Sequence, residues 1–379
     1  MKQSGIVSIQ KTSYQQGYEQ GRHAGYEQGY REGIAHGLHT TLLPIALIIT
    51  ASAELPSLQM MLVHPFDRLK KLGTYNFRVR TEDAVSQEDM ESAQIVIFIR
   101  NVEPDAYRYL EMAHQMGKRT VYCIDDNFLE IPSGAQEFPY YREPARRETF
   151  VNFLRNAQIV HVNSEFFADY IRQHFNPRVA YFPATVDYEW LEQGTKSAKE
   201  DGQIVIGYEG TYKEEDFKPV VRAMMRLLKE YGWIIRVEFF GFIPSSIRGQ
   251  RGVTHFSYEQ DYRQFIHRLY GLTWDIGLAP LADTLFNRCK TNNKFREYGA
   301  CMIPGIYSNV PTYSSWVNHG ETGYLVPHSE EGWYEGIKQM IESPALRQKI
   351  KERASSFARS HFSIETCVDN WKHKILSSS

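Results

Sequence analysis

The sequence predicts an α/β fold of two doubly wound, Rossmann-like domains that face a cleft. Three observations lead to this fold class. Apolar, β-rich segments alternate with segments of helical periodicity along most of the chain. Several of the apolar segments lack the alternation of a half-exposed strand, which is typical of strands buried on both faces of a parallel sheet. A polar linker at residues 192–203, EQGTKSAKEDGQ, separates two such series.

The first series is predicted to form a parallel sheet covered by helices. Its strands are expected at residues 43–49, 77–79, 95–99, 120–124, 159–162 and 179–182. Its helices are expected at residues 58–72, 105–116, 144–156 and 165–174. The segment PYYR at 139–142 is expected to be a loop, and His161, inside a predicted strand, is expected to be structural.

The second series repeats this organisation. Its strands are expected at residues 204–208, 234–240, 253–256, 275–279, 304–307 and 323–326. Its helices are expected at residues 216–231, 258–272, 292–300 and 330–341, with more from 344 onward. We therefore divide the chain into an arm at 1–40, an N-terminal domain at 41–195, a C-terminal domain at 203–360 and a C-terminal helix at 361–379. For this last helix we leave open a crossing back to the N-terminal domain.

The composition excludes several classes of protein. A net charge of -2 over 379 residues gives no basic surface excess for nucleic acid. The four cysteines form no CxxC pair and no metal-type cluster with histidine, so we expect free thiols and no metal site. The apolar run at 42–49 is shorter than the about 20 residues that span a bilayer, and the first thirty residues do not resemble a leader. We expect a cytoplasmic protein and leave peripheral membrane association open.

The arm carries a strict glycine repeat. Glycine occurs at every fourth position from Gly17 to Gly37, and GYEQG occurs twice. Residues four apart are neighbours on a helix, yet six glycines cost a helix about 6 kcal/mol relative to alanine. Either another helix packs on the glycine row, with self-association through residues 14–38 as the favoured case, or the arm is flexible. The segment resembles the glycine-repeat helix of flagellar export stator proteins.

Two turns of the second series have the chemistry of an anion site at the carboxyl ends of strands, where open parallel sheets bind ligands. After the strand at 204–208 comes EGTYK, in which Gly210 lets the backbone approach a phosphate and Thr211 and Lys213 lead into the next helix. The second turn, residues 286–298, enters a helix with Thr291 or Asn292 as its expected N-cap.

This second turn adds formal charge to the helix N-terminus. Its cations are Arg288, Lys290 and Lys294. Glu297 lies one turn beyond Lys294 on the same helix face. A carboxylate at that place can accept both hydroxyls of a ribose, while the helix start and the cations hold a diphosphate.

The order of these motifs resembles the donor site of group 1 glycosyltransferases with the GT-B fold. The segments that carry the resemblance, over roughly residues 90–360, are AQIVHVNSEF at 157–166, PATVD at 183–187, WDIGLAPL at 274–281, residues 286–300, Ile303-Pro304, and NHGETGYLV at 318–326. The resemblance implies an N-terminal acceptor domain and a C-terminal domain for a nucleotide-sugar donor. It also implies that Lys290 contacts the donor diphosphate and Glu297 the ribose, without a metal ion or any cofactor besides the donor itself.

The sequence departs from the family at three places. The family often has a second glutamate eight positions before the ribose glutamate, where this chain has Cys289. Its arginine–lysine pair after the first strand of the second domain is reduced to Lys213. The family's glycine-rich turn after the first strand of the N-terminal domain is replaced here by TASA at 50–53.

Two adjacent carboxylates follow the predicted strand at 120–124. Asp125 and Asp126 would face the cleft, where they could act as a base or orient an acceptor hydroxyl. The alternative is that these two residues form a turn or cap a helix, since Asp favours both.

The function that these observations favour is glycosyl transfer to a saccharide, lipid-linked or protein acceptor. The alternatives are a nucleotide-sugar epimerase and a non-catalytic scaffold with a degenerate pocket.

Overall fold

The computed structural model describes residues 43–198, 202–259 and 261–377. From Pro44 onward the chain forms one compact unit with two parallel sheets of six strands each. The glycine-repeat arm and the predicted self-association through residues 14–38 lie outside the described residues. None of the helices within the described ranges is long and apolar enough to cross a membrane.

The N-terminal sheet has the strand order β2-β1-β3-β4-β5-β6. Its strands are β1 Ile45–Thr50, β2 Asn76–Thr81, β3 Ile95–Ile99, β4 Arg119–Cys123, β5 Ile159–Val162 and β6 Val179–Tyr181. Every residue of β3 is buried, and so are five of the six in β1, because helices cover both faces of the sheet. The edge strand β2 is only partly buried and carries two arginines, Arg78 and Arg80, that both pair with Asp89.

The C-terminal sheet has the order β12-β11-β10-β7-β8-β9. Its strands are β7 Ile204–Gly210, β8 Ile235–Gly241, β9 Val253–Phe256, β10 Ile276–Ala279, β11 Gly305–Ser308 and β12 Tyr324–Val326. In both sheets the order reverses next to the first strand of the series, which is the arrangement of a doubly wound fold. The predicted fold class, with a strand in each of the twelve expected places, is thereby confirmed.

The helices flank these sheets. In the N-terminal half they are α1 Pro56–Leu58, α2 His64–Lys71, α3 Gln87–Ser92, α4 Pro104–Gln115, α5 Phe138–Arg142, α6 Pro144–Asn156, α7 Glu165–His174 and α8 Tyr188–Leu191. In the C-terminal half they are α9 Glu214–Tyr231, α10 Tyr262–Gly271, α11 Leu285–Arg288, α12 Asn293–Ala300, α13 Pro311–Ser314, α14 Glu330–Glu342, α15 Pro344–His361 and α16 Ile364–Trp371. A π-helical turn, Gln59–Val63, joins α1 to α2.

The expectation of a loop at 139–142 was wrong. These residues belong to α5, and Pro139 stands in its first turn, where the missing N–H costs no helical hydrogen bond and the fixed φ suits a helix. The sequence pattern also missed α3, which begins at a capping box formed by Ser86 and Asp89.

The last helix returns to the first domain. Val186 N donates to Phe362 O at 2.7 Å, which joins the interdomain turn to the end of α15. Beyond this point α16 packs on α2, and Trp371 lies buried with its ring centroid 5.1 Å from that of Phe66. His161 is buried in the same core: its Nδ1 lies 3.1 Å from Ala180 O, and burial lowers its pKa to about 3.

Candidate functional site

The carboxyl ends of the two sheets meet across a cleft, and three side-chain contacts bridge it. Lys290 Nζ lies 2.8 Å from Asp126 Oδ1. Asn127 Nδ2 lies 3.6 Å from Cys289 Sγ, and Arg296 Nη2 lies 3.4 Å from Met60 Sδ. The loops that follow β4 and β10 therefore touch each other.

Asp125 and Asp126 share one arginine. Arg100 Nη1 lies 2.8 Å from Asp125 Oδ1 and 3.5 Å from Asp126 Oδ2. Arg100 directly follows β3 and has a φ of 58°, in the left-handed region that non-glycine residues rarely adopt. Such backbone strain concentrates at functional sites, where the surrounding structure holds a side chain in place.

The two carboxyls are electrostatically different. Burial raises the pKa of Asp125, although Arg100 opposes this rise. Burial also disfavours the charge of Asp126, but Lys290 and Arg100 outweigh burial and lower the pKa of Asp126 to about 2. Asp126 is thus a fixed anion, while Asp125 accepts a proton more readily. Adjacent carboxyls with separated pKa values are the arrangement that acid–base chemistry uses.

Cys289 anchors the loop after β10 in the N-terminal domain. It is fully buried within the apolar core of the N-terminal domain, near Tyr170. Burial raises the pKa of its thiol to about 11. Because Cys289 is a packed, protonated thiol, it cannot take over the role of the carboxylate that the resemblance would place there.

The start of α12 brings Lys294 to the end of β7. Lys294 Nζ lies 2.5 Å from Glu209 Oε1, and Glu209 is 2% exposed. Burial raises the pKa of Glu209 to about 7 against the effect of Lys294, and the charge of Glu297 adds to this rise. Of the two expected N-cap residues, Thr291 and Asn292, the structure has Asn292 at the N-cap, and its side chain makes no capping hydrogen bond.

Gly210 keeps this corner open. Its φ is 140°, and a Cβ built on it would lie 2.8 Å from the hydroxyl of Tyr208 and 3.3 Å from Lys294 Nζ. A side chain would therefore collide with the Tyr208 hydroxyl and crowd Lys294, whereas glycine leaves room for a ligand group to approach the backbone.

Glu297 and Arg296 lie side by side within the cleft. Arg296 Nη2 is 3.2 Å from Glu297 Oε1, and the two side chains are 0% and 5% exposed. Glu297 is also hydrogen-bonded to the side chain of Glu209. This places the carboxylate beside Glu209 and Lys294, one helical turn from the N-terminus of α12.

Lys213 belongs to the same charged group. It lies 3.0 Å from Asp216 Oδ2, and the other oxygen of Asp216 accepts hydrogen bonds from Ala282 N at 2.8 Å and Asn287 Nδ2 at 3.3 Å. Burial lowers the pKa of Lys213, and Asp216 opposes this effect. Asp216 therefore ties the loop after β10 to the start of α9.

The structure gathers most of the predicted site residues and leaves two outside. Residues at the cleft are Gly210, Lys213, Lys290, Lys294, Glu297, Asp125 and Asp126. Arg288 instead pairs with Asp283 at 2.6 Å and is 42% exposed, and the side chain of Thr211 is exposed.

Sequence reasoning missed three residues of the site: Arg100, Glu209 and Asp216. Arg100 and Glu209 each stand at the carboxyl end of a buried strand, which is the signal that could have found them. The role of Asp216 depends on contacts with a loop more than sixty residues away and leaves no local signal.

The cations of the cleft are internally paired. Lys290 pairs with Asp126, Lys294 with Glu209, and Lys213 with Asp216. An incoming anion must therefore compete with carboxylates for each lysine. In the part of the chain that the structure describes, no group of three or more Asp, Glu, His or Cys side chains is placed to hold a metal ion.

Comparison with known proteins identifies the fold. The sequence matches no protein-family model and no curated protein. Among solved structures, HepE of Anabaena in complex with UDP and glucose covers 88% of this chain and 99% of its own at 12% identity, with a TM-score of 0.62. A glycosyltransferase of Rickettsia africae covers 89% and 100% at 14% identity, with a TM-score of 0.64. Sucrose-phosphate synthase of Thermosynechococcus elongatus covers 89% and 100% at 13% identity, with a TM-score of 0.65. The described part of the chain thus has the two-domain α/β architecture of GT-B glycosyltransferases.

Proposed function

We propose that this protein is a glycosyltransferase that moves a sugar from a nucleotide-sugar donor to an acceptor hydroxyl. The observation that carries the proposal is the convergence at one cleft of Lys290, Lys294, Gly210 and Glu297 with the Asp125–Asp126 pair. The fold neighbours include HepE with bound UDP and glucose, which supports a nucleotide-sugar as donor. For the acceptor we propose only the general class, which is a saccharide, a lipid-linked molecule or a protein.

The donor half of the site would bind the nucleotide diphosphate. Lys290 and Lys294 supply positive charge beside the free N–H groups at the start of α12. Gly210 allows the phosphates to approach the backbone, and Glu297 accepts the ribose hydroxyls. When the glycosidic bond to the diphosphate breaks, these same cations stabilise the charge that develops on the leaving group.

The acceptor half of the site would handle the proton of the attacking hydroxyl. Asp125, with its raised pKa, is the residue that accepts a proton. Asp126 remains ionised and positions Lys290, and Arg100 holds both carboxylates. Most of the catalytic effect would come from orientation and charge stabilisation, which requires no metal ion.

Substitution of donor-site residues tests this proposal. Lys290→Ala should weaken binding of UDP and of inorganic pyrophosphate alike, by about tenfold, because it removes a charge-assisted contact to phosphate. Glu297→Ala should weaken binding of UDP but leave pyrophosphate binding nearly unchanged. Arg288→Ala is the matched control, since Arg288 is engaged with Asp283 at the surface. Equal loss of both ligands in Glu297→Ala would contradict the ribose assignment.

Measurement of turnover distinguishes glycosyl transfer from the two alternatives, a nucleotide-sugar epimerase and a non-catalytic scaffold. A screen of nucleotide-sugars should show release of the nucleotide diphosphate, and Asp125→Asn should lower kcat far more than donor affinity. Release of a free epimerised sugar would identify an epimerase instead. The internal pairing of all three cleft lysines, together with Cys289, favours the scaffold alternative. Binding of nucleotide-sugars without any turnover would support it.

A further inference from the structure

Two stacked aromatic side chains hold the side chain of Arg100, the arginine that Asp125 and Asp126 share. Cζ of Arg100 lies 4.9 Å from the centroid of the Phe128 ring. The Tyr141 ring in α5 is stacked on the Phe128 ring, with 3.9 Å between the centroids and 20° between the planes. A guanidinium over an aromatic face is attracted by the electron-rich ring, so the stack helps to fix the place of the Arg100 charge.

Tyr141 also contacts Arg100 directly. The Arg100 guanidinium is hydrogen-bonded to the Tyr141 hydroxyl. The same guanidinium lies 2.8 Å from Asp125 Oδ1 and 3.5 Å from Asp126 Oδ2. The side chain of Arg100 is 19% exposed and Tyr141 is partly buried, so little water competes for these N–H groups. Because a guanidinium is a rigid planar fork, an acceptor on one part of the fork determines how the rest faces the carboxylates.

The neighbouring tyrosine of α5 attaches the helix at a different place. The Tyr140 hydroxyl donates to Glu103 Oε1 at 2.5 Å, and the guanidinium of Arg146 lies over the Tyr140 ring at 4.0 Å. Glu103 is the residue before α4, and Arg146 pairs with it at 2.9 Å. Helix α5 therefore carries two adjacent tyrosine hydroxyls, of which one is bonded to Arg100 and the other to Glu103. Removal of each hydroxyl in turn separates the contact with Arg100 from the attachment of the helix.

We propose that Tyr141 is a positioning residue for the acid–base pair of the cleft, in which its hydroxyl and ring hold the Arg100 guanidinium against Asp125. The proposal rests on the proposed function, in which Asp125 accepts the proton of the attacking hydroxyl. Arg100 is the neighbouring charge that most strongly favours ionised Asp125, so a guanidinium that turns away leaves this carboxyl easier to protonate. The titratable and charged groups that face Asp125 are Arg100, Tyr122, Cys123, Asp126, Tyr141 and Lys290.

Titration of Asp125 in the full-length protein tests this contact without a substrate. Its ¹³C-labelled carboxyl resonance, identified by its loss in Asp125→Asn, is followed by NMR against pH. Tyr141→Phe keeps the ring that stacks on Phe128 but loses the hydroxyl, and it should raise the midpoint by about 0.7 pH unit because part of the effect of Arg100 is lost. Tyr140→Phe is the matched control and should leave the midpoint unchanged. In an Arg100→Gln background, which has no guanidinium to hold, Tyr141→Phe should add almost nothing.

Kinetics connect this contact to the reaction. With a nucleotide-sugar that the wild type uses, the acidic limb of the kcat profile should move to higher pH by the same amount in Tyr141→Phe. This lowers kcat about fivefold below the midpoint and leaves KM for the donor unchanged.

The two measurements separate the failure of this inference from the failure of the proposed function. Equal titration midpoints in the wild type and Tyr141→Phe, or an equal shift in Tyr140→Phe, would overturn the positioning of Arg100 by Tyr141. A shifted titration with an unshifted kcat profile would overturn its part in the reaction. If the wild type turns over no nucleotide-sugar, the proposed function is wrong, and the carboxyl titration alone decides whether Tyr141 positions Arg100.

Discussion

Replacing Glu209 by glutamine should change how the stability of the C-terminal domain depends on pH. Glu209 is 2% exposed, and burial raises its pKa from 4.5 to about 7 against the effect of Lys294. The folded protein therefore holds this proton more tightly than the unfolded chain does. Between pH 4.5 and pH 7 the folded state binds more protons, so the free energy of unfolding falls as the pH rises and then levels off.

The size of the effect follows from the two pKa values. A difference of about 2.5 pKa units corresponds to about 3 kcal/mol over the whole window, and to about 2.5 kcal/mol between pH 5 and pH 8. Glutamine cannot ionise, so the free energy of unfolding of Glu209→Gln, relative to that of the wild type, should rise by about 2.5 kcal/mol between pH 5 and pH 8. The ion pair with Lys294 needs no separate correction, because its opposition to the effect of burial is already contained in the pKa of about 7.

Urea denaturation at pH 5, 6, 7 and 8 measures this difference. The free energy of unfolding is extrapolated to zero urea for both proteins, and the wild-type value is subtracted from the variant value at each pH. The subtraction removes all groups that titrate equally in both, His161 included. The variant-minus-wild-type difference should rise with pH by about 2.5 kcal/mol. A difference that stays flat, or falls, would refute the placement of a buried, reluctantly ionised Glu209 beside Lys294.

Three further outcomes are expected. Asp126→Asn should strengthen pyrophosphate binding about tenfold at low salt, because it releases Lys290 from a competing carboxylate at 2.8 Å; calorimetry that finds weaker binding would contradict this. Gly207→Ala should destabilise the C-terminal domain by more than about 2 kcal/mol in thermal or urea unfolding, because a Cβ there would lie 1.9 Å from the Trp274 ring; Gly134→Ala, with open space around it, is the neutral control. Deletion of residues 1–40 should leave UDP binding intact and lower the oligomeric state in sedimentation; an unchanged species would dismiss self-pairing of the arm.

The fold could be predicted because its information is local. The strands β1, β3 and β10 are buried on both faces and appear in the sequence as short apolar runs between polar turns. The helices that escaped prediction are short. The segment of α5 was expected to be a loop, but its proline stands in the first turn, where it is compatible with a helix.

The candidate site was only partly predictable, since its geometry depends on distant contacts. Lys290, Lys294 and Glu297 lie in one continuous segment and could be nominated from their spacing. The pairing of Lys290 with Asp126 joins residues 164 positions apart, and the contact between Lys294 and Glu209 joins the start of α12 to the end of β7.

The return of α16 to the N-terminal domain has a consequence for how the chain reaches its native state on the ribosome. Trp371 and Ile375 are fully buried in the core that contains Leu62 and Phe66. During synthesis this apolar face of the N-terminal domain stays uncovered until nearly the whole polypeptide, including α16, has emerged. The domain that is made first is therefore completed last, and a fragment that stops at the linker would expose the surface that α16 covers. The two halves of the sequence are not two independent folding units.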